Sequence, residues 1–214
     1  MNDQNQQSLD TLQDIKRMME RSSRFISLSG LSGIAAGTIA LIGAALARNM
    51  LNAYYQKYDD AGYSGSAFRS LKLDLLLLGM GVLVAALIIS FYFTWRKARH
   101  DKQSVWNSSS KRLIINMMIP LISGGLFVLS MLGYDQWQFV APACLIFYGL
   151  ALVNASKYTL TDVRYLGIVQ IILGLINTQY INLGLYFWAA GFGLMHIVYG
   201  IIMWWKYERK EQTV

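Results

Sequence analysis

The sequence predicts an all-α integral membrane protein, a six-transmembrane-helix bundle preceded by a short amphipathic helix on the cytoplasmic side. Three observations lead there. Of 214 residues, 55% are hydrophobic and only 14% charged, far from the balance of an ordinary soluble domain. The charges crowd into short stretches between long apolar runs, as their exclusion from hydrocarbon requires. Finally, the Lys and Arg residues fall very unevenly on alternate sides of those runs.

A hydrocarbon core needs roughly 20 helical residues per crossing, and each crossing must satisfy its own backbone. Six segments qualify: Phe25 to Leu46, Leu75 to Trp95, Leu113 to Gly133, Trp137 to Ser156, Val163 to Ile181 and Gly184 to Trp205. The last four are joined by connections short enough to force antiparallel hairpins. Pro120 and Pro142 stand inside spans, where a missing N–H predicts a local kink and a carbonyl that a neighbour must satisfy. The domain reading is therefore a cytoplasmic start over residues 1–24, a transmembrane domain over 25–205 and a cytoplasmic tail over 206–214.

Fifteen of the 19 Lys and Arg residues lie on the side of the N-terminus, the second and fourth loops and the tail, and four lie on the other. The positive-inside rule puts the first side in the cytoplasm, with both termini. Trp95, Trp204 and Trp205 end spans on that side, and Trp137 and Trp188 lie toward the other. A cleaved leader is disfavoured, because the stretch before the first apolar run is long and carries Asp3, Asp10, Asp14 and Glu20, against the short basic start of a signal peptide.

Leu9, Leu12, Ile15 and Met19 recur at helical spacing and Thr11 with Asp14 fits a capping box, which predicts the juxtamembrane helix. The largest extracytoplasmic element is expected over residues 47–72, a loop rich in tyrosine (Tyr54, Tyr55, Tyr58, Tyr63). The net charge of +7 is a property of the loops. With no soluble fold to present a basic face to a groove, it points to anionic headgroups and away from nucleic acid. Arg96, Lys97, Arg99, Lys102, Lys111 and Arg112 in the second loop are the candidate lipid contacts.

Polar side chains inside spans carry the functional signal, since each is costly in lipid and so faces a bundle interior or a cavity. Ser29, Asn116, Asn154, Gln170, His196 and Tyr199 all fall in the cytoplasmic half of the expected bilayer, which predicts a polar pocket opening to the cytoplasm. Gly193 and Gly200 clear space beside His196, whose expected partners are Gln170, Asn154 or Asn116. Ser29, Gly33 and Gly37 form a small-xxx-small stripe on the first span.

Catalytic constellations are not found. The fourth span has no Gly-x-Ser-Gly to set against the histidine of the last span, the two histidines form no His-Glu-x-x-His, and no phosphate loop is present. Cys144 is the only cysteine, so no intrachain disulfide or thiolate cluster can form. The expectation is a protein without cofactor or enzymatic activity.

Three stretches carry a resemblance: Met18 to Gly30, Ile119-Pro120-Leu121 followed by Gly124-Gly125, and Leu145 to Tyr158. They resemble an uncharacterised six-span inner-membrane family of Bacteroidota-type bacteria, over about Leu9 to Tyr207. The resemblance implies a bacterial inner-membrane location and carries over no catalytic residue. Two functional classes remain as expectations. One is a small transporter or ligand-responsive membrane protein built on the polar pocket. The other is a non-catalytic partner or scaffold subunit, or a homo-oligomer, docking through the N-terminal helix and the basic second loop.

Overall fold

The computed structural model describes residues 29–61, 65–101 and 106–209, and these are helical with no strand among them. The expected juxtamembrane helix, and Lys102 of the second loop, lie outside the described residues. Helix α1 is Gly30–Ala61, α2 Gly65–His100, α3 Ser108–Gly133, α4 Val140–Ala155 and α5 Asp162–Gln179. The C-terminal helix begins with a short 3-10 turn and α6 (Gly184–Trp188), widens into a π-helical segment (Ala189–Met195), narrows to α7 (His196–Met203) and ends in a second π-helical segment (Trp204–Glu208).

Five of these elements are long and apolar enough to cross a membrane: Gly30–Lys57, Ala67–His100, Ser108–Gly133, Trp137–Tyr158 and Ile181–Glu208. The expected fifth span is α5, at 18 residues. It carries Asp162, Arg164, Gln170, Asn177 and Gln179, which lower its hydropathy. Its position is nonetheless well defined. The turn Trp137–Phe139 before α4 packs beside Ile181–Leu183 at one end of the bundle. At the other end Asp162, opening α5, accepts hydrogen bonds from Lys206 and Tyr207. Helix α4 and the C-terminal helix therefore start at the same end, and α5 carries the chain back along their length.

Element bounds differ from expectation at the first loop. Residues 47–72 are expected as a tyrosine-rich loop, whereas α1 continues to Ala61 and α2 starts at Gly65. No proline interrupts this stretch, and Leu51, Tyr54, Tyr55 and Tyr58 keep helical spacing, so nothing stops the helix. The Tyr54 and Phe68 rings meet across the hairpin at 5.8 Å. Likewise the basic second loop consists largely of helix ends. Arg96, Lys97 and Arg99 close α2, while Lys111 and Arg112 lie in the first turns of α3. Helix α3 starts on a reciprocal cap in which Asn107 Oδ1 accepts from Ser110 N at 2.8 Å and Asn107 N donates to Ser110 Oγ at 2.9 Å.

Two glycine seams set the packing. On the first, Gly33 and Gly37 of α1 lie against the C-terminal helix so closely that a Cβ at Gly37 would stand 2.6 Å from the Gly193 carbonyl, and one at Gly200 would stand 2.6 Å from Ile34 N. On the second, Gly149 of α4 and Gly167 of α5 face each other, each Cβ position 2.6 to 2.7 Å from the other's carbonyl oxygen. Only the absence of a side chain permits such approach. Helix α2 packs on α1 and α3 on α4, at the margins of this four-helix centre.

The two prolines behave differently. Pro120 has no N–H for the carbonyl of Asn116, one turn earlier, and that oxygen accepts instead from Asn154 Nδ2 of α4 at 2.7 Å. Pro142 is the third residue of α4, because the preceding turn Trp137–Phe139 is 3-10. In a first turn the missing donor costs no helical bond, so no kink arises there.

Candidate functional site: a buried polar cluster on the C-terminal helix

The polar residues of the interior meet at Gly191, in the π-helical segment. Its carbonyl oxygen accepts from Gln170 Nε2 at 2.8 Å and lies 3.0 Å from His196 Nδ1. A carbonyl can only accept, so Nδ1 carries the proton and fixes the imidazole tautomer. In the neutral ring Nε2 is then an acceptor, and it takes the hydroxyl of Tyr148 on α4 at 2.8 Å. His196, Tyr148 and Gln170 thus tie the C-terminal helix to α4 and α5 through one backbone oxygen.

Aromatic stacking holds the ring plane. Phe192 lies 5.1 Å from Tyr148 and 6.0 Å from His196, with Phe192 and the imidazole nearly parallel at 15°. Gln170 is fully buried, and its Oε1 has no hydrogen-bond partner. That oxygen would be 2.5 Å from a Cβ at Gly191, so glycine is required for the amide to reach the carbonyl. An unpaired buried acceptor is expensive, of the order of 1–3 kcal/mol, and π-helical turns recur where side chains do chemical work.

The six residues expected to line one pocket are placed at four separate locations. Gln170 and His196 share the Gly191 carbonyl. Asn154 meets Asn116 at the latter's backbone oxygen, and the Asn116 side chain turns back to the Arg112 carbonyl at 2.8 Å. Tyr199 packs against the apolar cluster of Leu152, Leu160, Val163 and Leu166. Ser29 is buried before α1, where its carbonyl accepts from Ser32. Next to it Gly30 N donates to Glu208 Oε1 at 2.6 Å.

His196 meets Tyr148 rather than the amide side chains expected as partners. Gly193 and Gly200 admit α1, not a ligand, against the helix. Sequence reasoning missed Tyr148 and Gly191. An apolar run hides a tyrosine, and a backbone acceptor leaves no mark in composition.

Among the candidate lipid contacts, Lys97 turns inward, its Nζ 3.7 Å from Glu208 Oε1. Arg99 lies over Trp95 at 5.3 Å and Lys111 over Trp106 at 5.8 Å, an arrangement of cation and aromatic suited to a headgroup layer. Among the described residues no three His, Cys, Asp or Glu side chains gather as a metal site.

Fold and site define an all-α protein in which five helices have the length and apolarity of membrane spans, with a small polar cluster sealed at its centre. Comparison with protein-family models, curated proteins and solved structures finds no match to the chain.

Proposed function

We propose that this chain is a bacterial inner-membrane protein of six spans with both termini in the cytoplasm, acting as a small proton-linked transporter or ligand-responsive protein through His196 and Tyr148. The fifteen-to-four distribution of Lys and Arg supports the orientation. The length of α5, about 27 Å at 1.5 Å per residue, supports counting it as a span.

The observation that carries the functional reading is the buried His196, joined to Tyr148 of α4 and to the Gly191 carbonyl that Gln170 of α5 also binds, beside the unpaired Gln170 Oε1. A free, solvated imidazole changes charge near neutrality. When Nε2 gains a proton it becomes a donor, and the Tyr148 hydroxyl must turn from donor to acceptor. The proton so taken up alters the contact between α4 and the C-terminal helix.

The test uses purified protein in liposomes holding a trapped pH dye, with a potassium diffusion potential imposed. Proton flux above that of protein-free liposomes is expected, and His196→Gln should abolish it while leaving the elution profile and helical content unchanged. Flux equal to protein-free liposomes, or unaltered in His196→Gln, overturns the reading. For topology, alkaline phosphatase fused after Val214 should be inactive and a cysteine at Ser64 reachable from the periplasm.

A further inference from the structure

A groove of about 420 Å³ runs along the outer face where α3 meets α4. Phe147, Leu150 and Val153 of α4 form one wall and Pro120 with Ser123 of α3 the other, while Asn154 and Lys157 stand at one end. Over the ten steps from Phe147 to Lys157 it extends about 15 Å along the chain. The body is apolar and the end cationic.

Charge at that end is arranged. Lys157 Nζ donates to Asn154 Oδ1 at 3.1 Å, and Asn154 is itself held by the Asn116 carbonyl that Pro120 leaves unpaired. The ammonium has three donors, of which this bond uses one. Arg112 lies one turn before Asn116 on the α3 face that continues through Pro120 and Ser123, at four-residue and three-residue steps. Helical spacing therefore puts Arg112 on the α3 face that leads to the Lys157 end of the groove. Around the groove the α3 surface is apolar, with Ile119 and Leu126 each about 60% exposed (60% and 61%).

We propose that the groove is a binding site for one anionic phospholipid, an acyl chain lying along Leu150 and Phe147 and the headgroup phosphate held by Lys157 and Arg112. The inference rests on the reading of the chain as a membrane protein. Charge complementarity selects the occupant: a cationic mouth on an apolar channel matches a phosphodiester joined to a hydrocarbon tail. A protein partner would not need the pairing of channel and charge.

The full-length protein, purified in detergent and stripped of lipid, is titrated by native mass spectrometry with phosphatidylglycerol and, separately, phosphatidylcholine. Phosphatidylglycerol should bind more tightly, with one saturating site. The double variant Lys157→Gln, Arg112→Gln should lose about fivefold per neutralised charge. Leu150→Trp fills the channel from an exposed position and should lower affinity for both lipids, while Lys57→Gln, an exposed position near the end of α1 and outside the groove, should change neither. Equal affinity for the two lipids, or phosphatidylglycerol binding untouched in both the double variant and Leu150→Trp, overturns the proposal. A chain that stays soluble and monodisperse without detergent overturns the membrane reading instead.

Discussion

Helices α2 and α5 are opposites. Helix α2 belongs to the span with the highest mean hydropathy of the five, yet none of its most apolar window is buried. Helix α5 is the long helix that is not among those five, and buries Gly167, Gln170, Gly174 and Asn177. In a water-soluble protein the order would be reversed, with the most apolar helix at the centre. Here the two most apolar spans, of α2 and α3, form the periphery, and the interior is built from glycine, alanine and a few leucines around amide side chains. That inversion is what a hydrocarbon solvent imposes, because apolar burial gains nothing against lipid while close backbone approach and hydrogen bonds do. The same residue type shows the contrast: Gly79 and Gly81 of α2 face open space, whereas Gly149 and Gly167 have each other's backbone in contact range.

The sharpest way to break this comparison is to add a side chain on each side of it. Gly167→Val forces a branched side chain into the Gly149 carbonyl, Val153 and the α4 backbone, none of which can yield without moving a helix. A loss of about 3 kcal/mol or more is expected, at the upper end of overpacking costs. Gly79→Ala should be neutral or stabilising by up to about 1 kcal/mol, from helix propensity alone. Thermal unfolding in detergent measures both. Equal losses at the two sites would mean that α2 is covered in the native assembly.

Next in size is the proline-linked bond between α3 and α4. Asn154→Leu leaves the Asn116 carbonyl without a donor and should cost about 1–2 kcal/mol. Pro120→Ala restores the N–H one turn later in α3. In the double variant the carbonyl is again paired within its helix, so Asn154→Leu should cost clearly less there. A cycle with no coupling would show that Asn154 contributes packing alone.

A smaller effect is expected at the end of the bundle where α5 begins. Asp162 accepts from Tyr207 at 2.6 Å and from Lys206 at 3.0 and 3.1 Å. Asp162→Asn keeps an acceptor for the tyrosine and removes the ion pair. Lys206 is half exposed, so a loss of only about 0.5–1 kcal/mol is expected, diminishing with added salt. A salt-independent loss would assign it to the hydrogen bonds instead.

That the described residues are helical, with five helices of span length, was readable in the sequence, because apolar runs of that length between charged stretches have one inexpensive arrangement in lipid. The carbonyl freed by Pro120 was readable as well, though not its partner Asn154. The extent of α1 and α2 past the apolar runs was not, since hydropathy ends where Arg48 and Asn49 begin and helical spacing of tyrosines continues beyond it. Nor was the site. Gln170 and His196 stand out in composition, but what joins them is the oxygen of Gly191, presented by a widened turn that no residue pattern announces. Polar residues at one depth in a membrane need not share a pocket: Asn154 and His196 lie on different faces of the bundle, and depth alone fixes only one of three coordinates.

The smallest effect belongs to the far end, where Lys72 at the start of α2 pairs with Asp135 beyond α3 and so links the two peripheral helices. Asp135 has φ of 61°, a left-handed conformation that Asp and Asn tolerate better than other side chains, and its Oδ1 also accepts from Trp137 Nε1 at 3.0 Å. The hydrogen bond from Lys72, with its charge, and that from Trp137 hold the Asp135 carboxyl below the usual carboxylate value, outweighing a small opposing effect of burial. A carboxyl whose pKa is lower folded than unfolded stabilises the fold above its unfolded value, near 3.9, and ceases to do so as pH falls through the folded one. Asp135→Asn keeps the backbone preference and an acceptor for Trp137 while removing the charge. The difference in melting temperature between the two proteins should thus be constant from neutrality to about pH 5, then shrink as pH falls below the unfolded carboxylate value and through the lower folded one. Because the Asp135 carboxylate is exposed, the difference should be small throughout and reduced by salt. A difference that persists at low pH would place the Asp135 contribution in its turn geometry, and α2 would then be joined to α3 at that end by something other than charge.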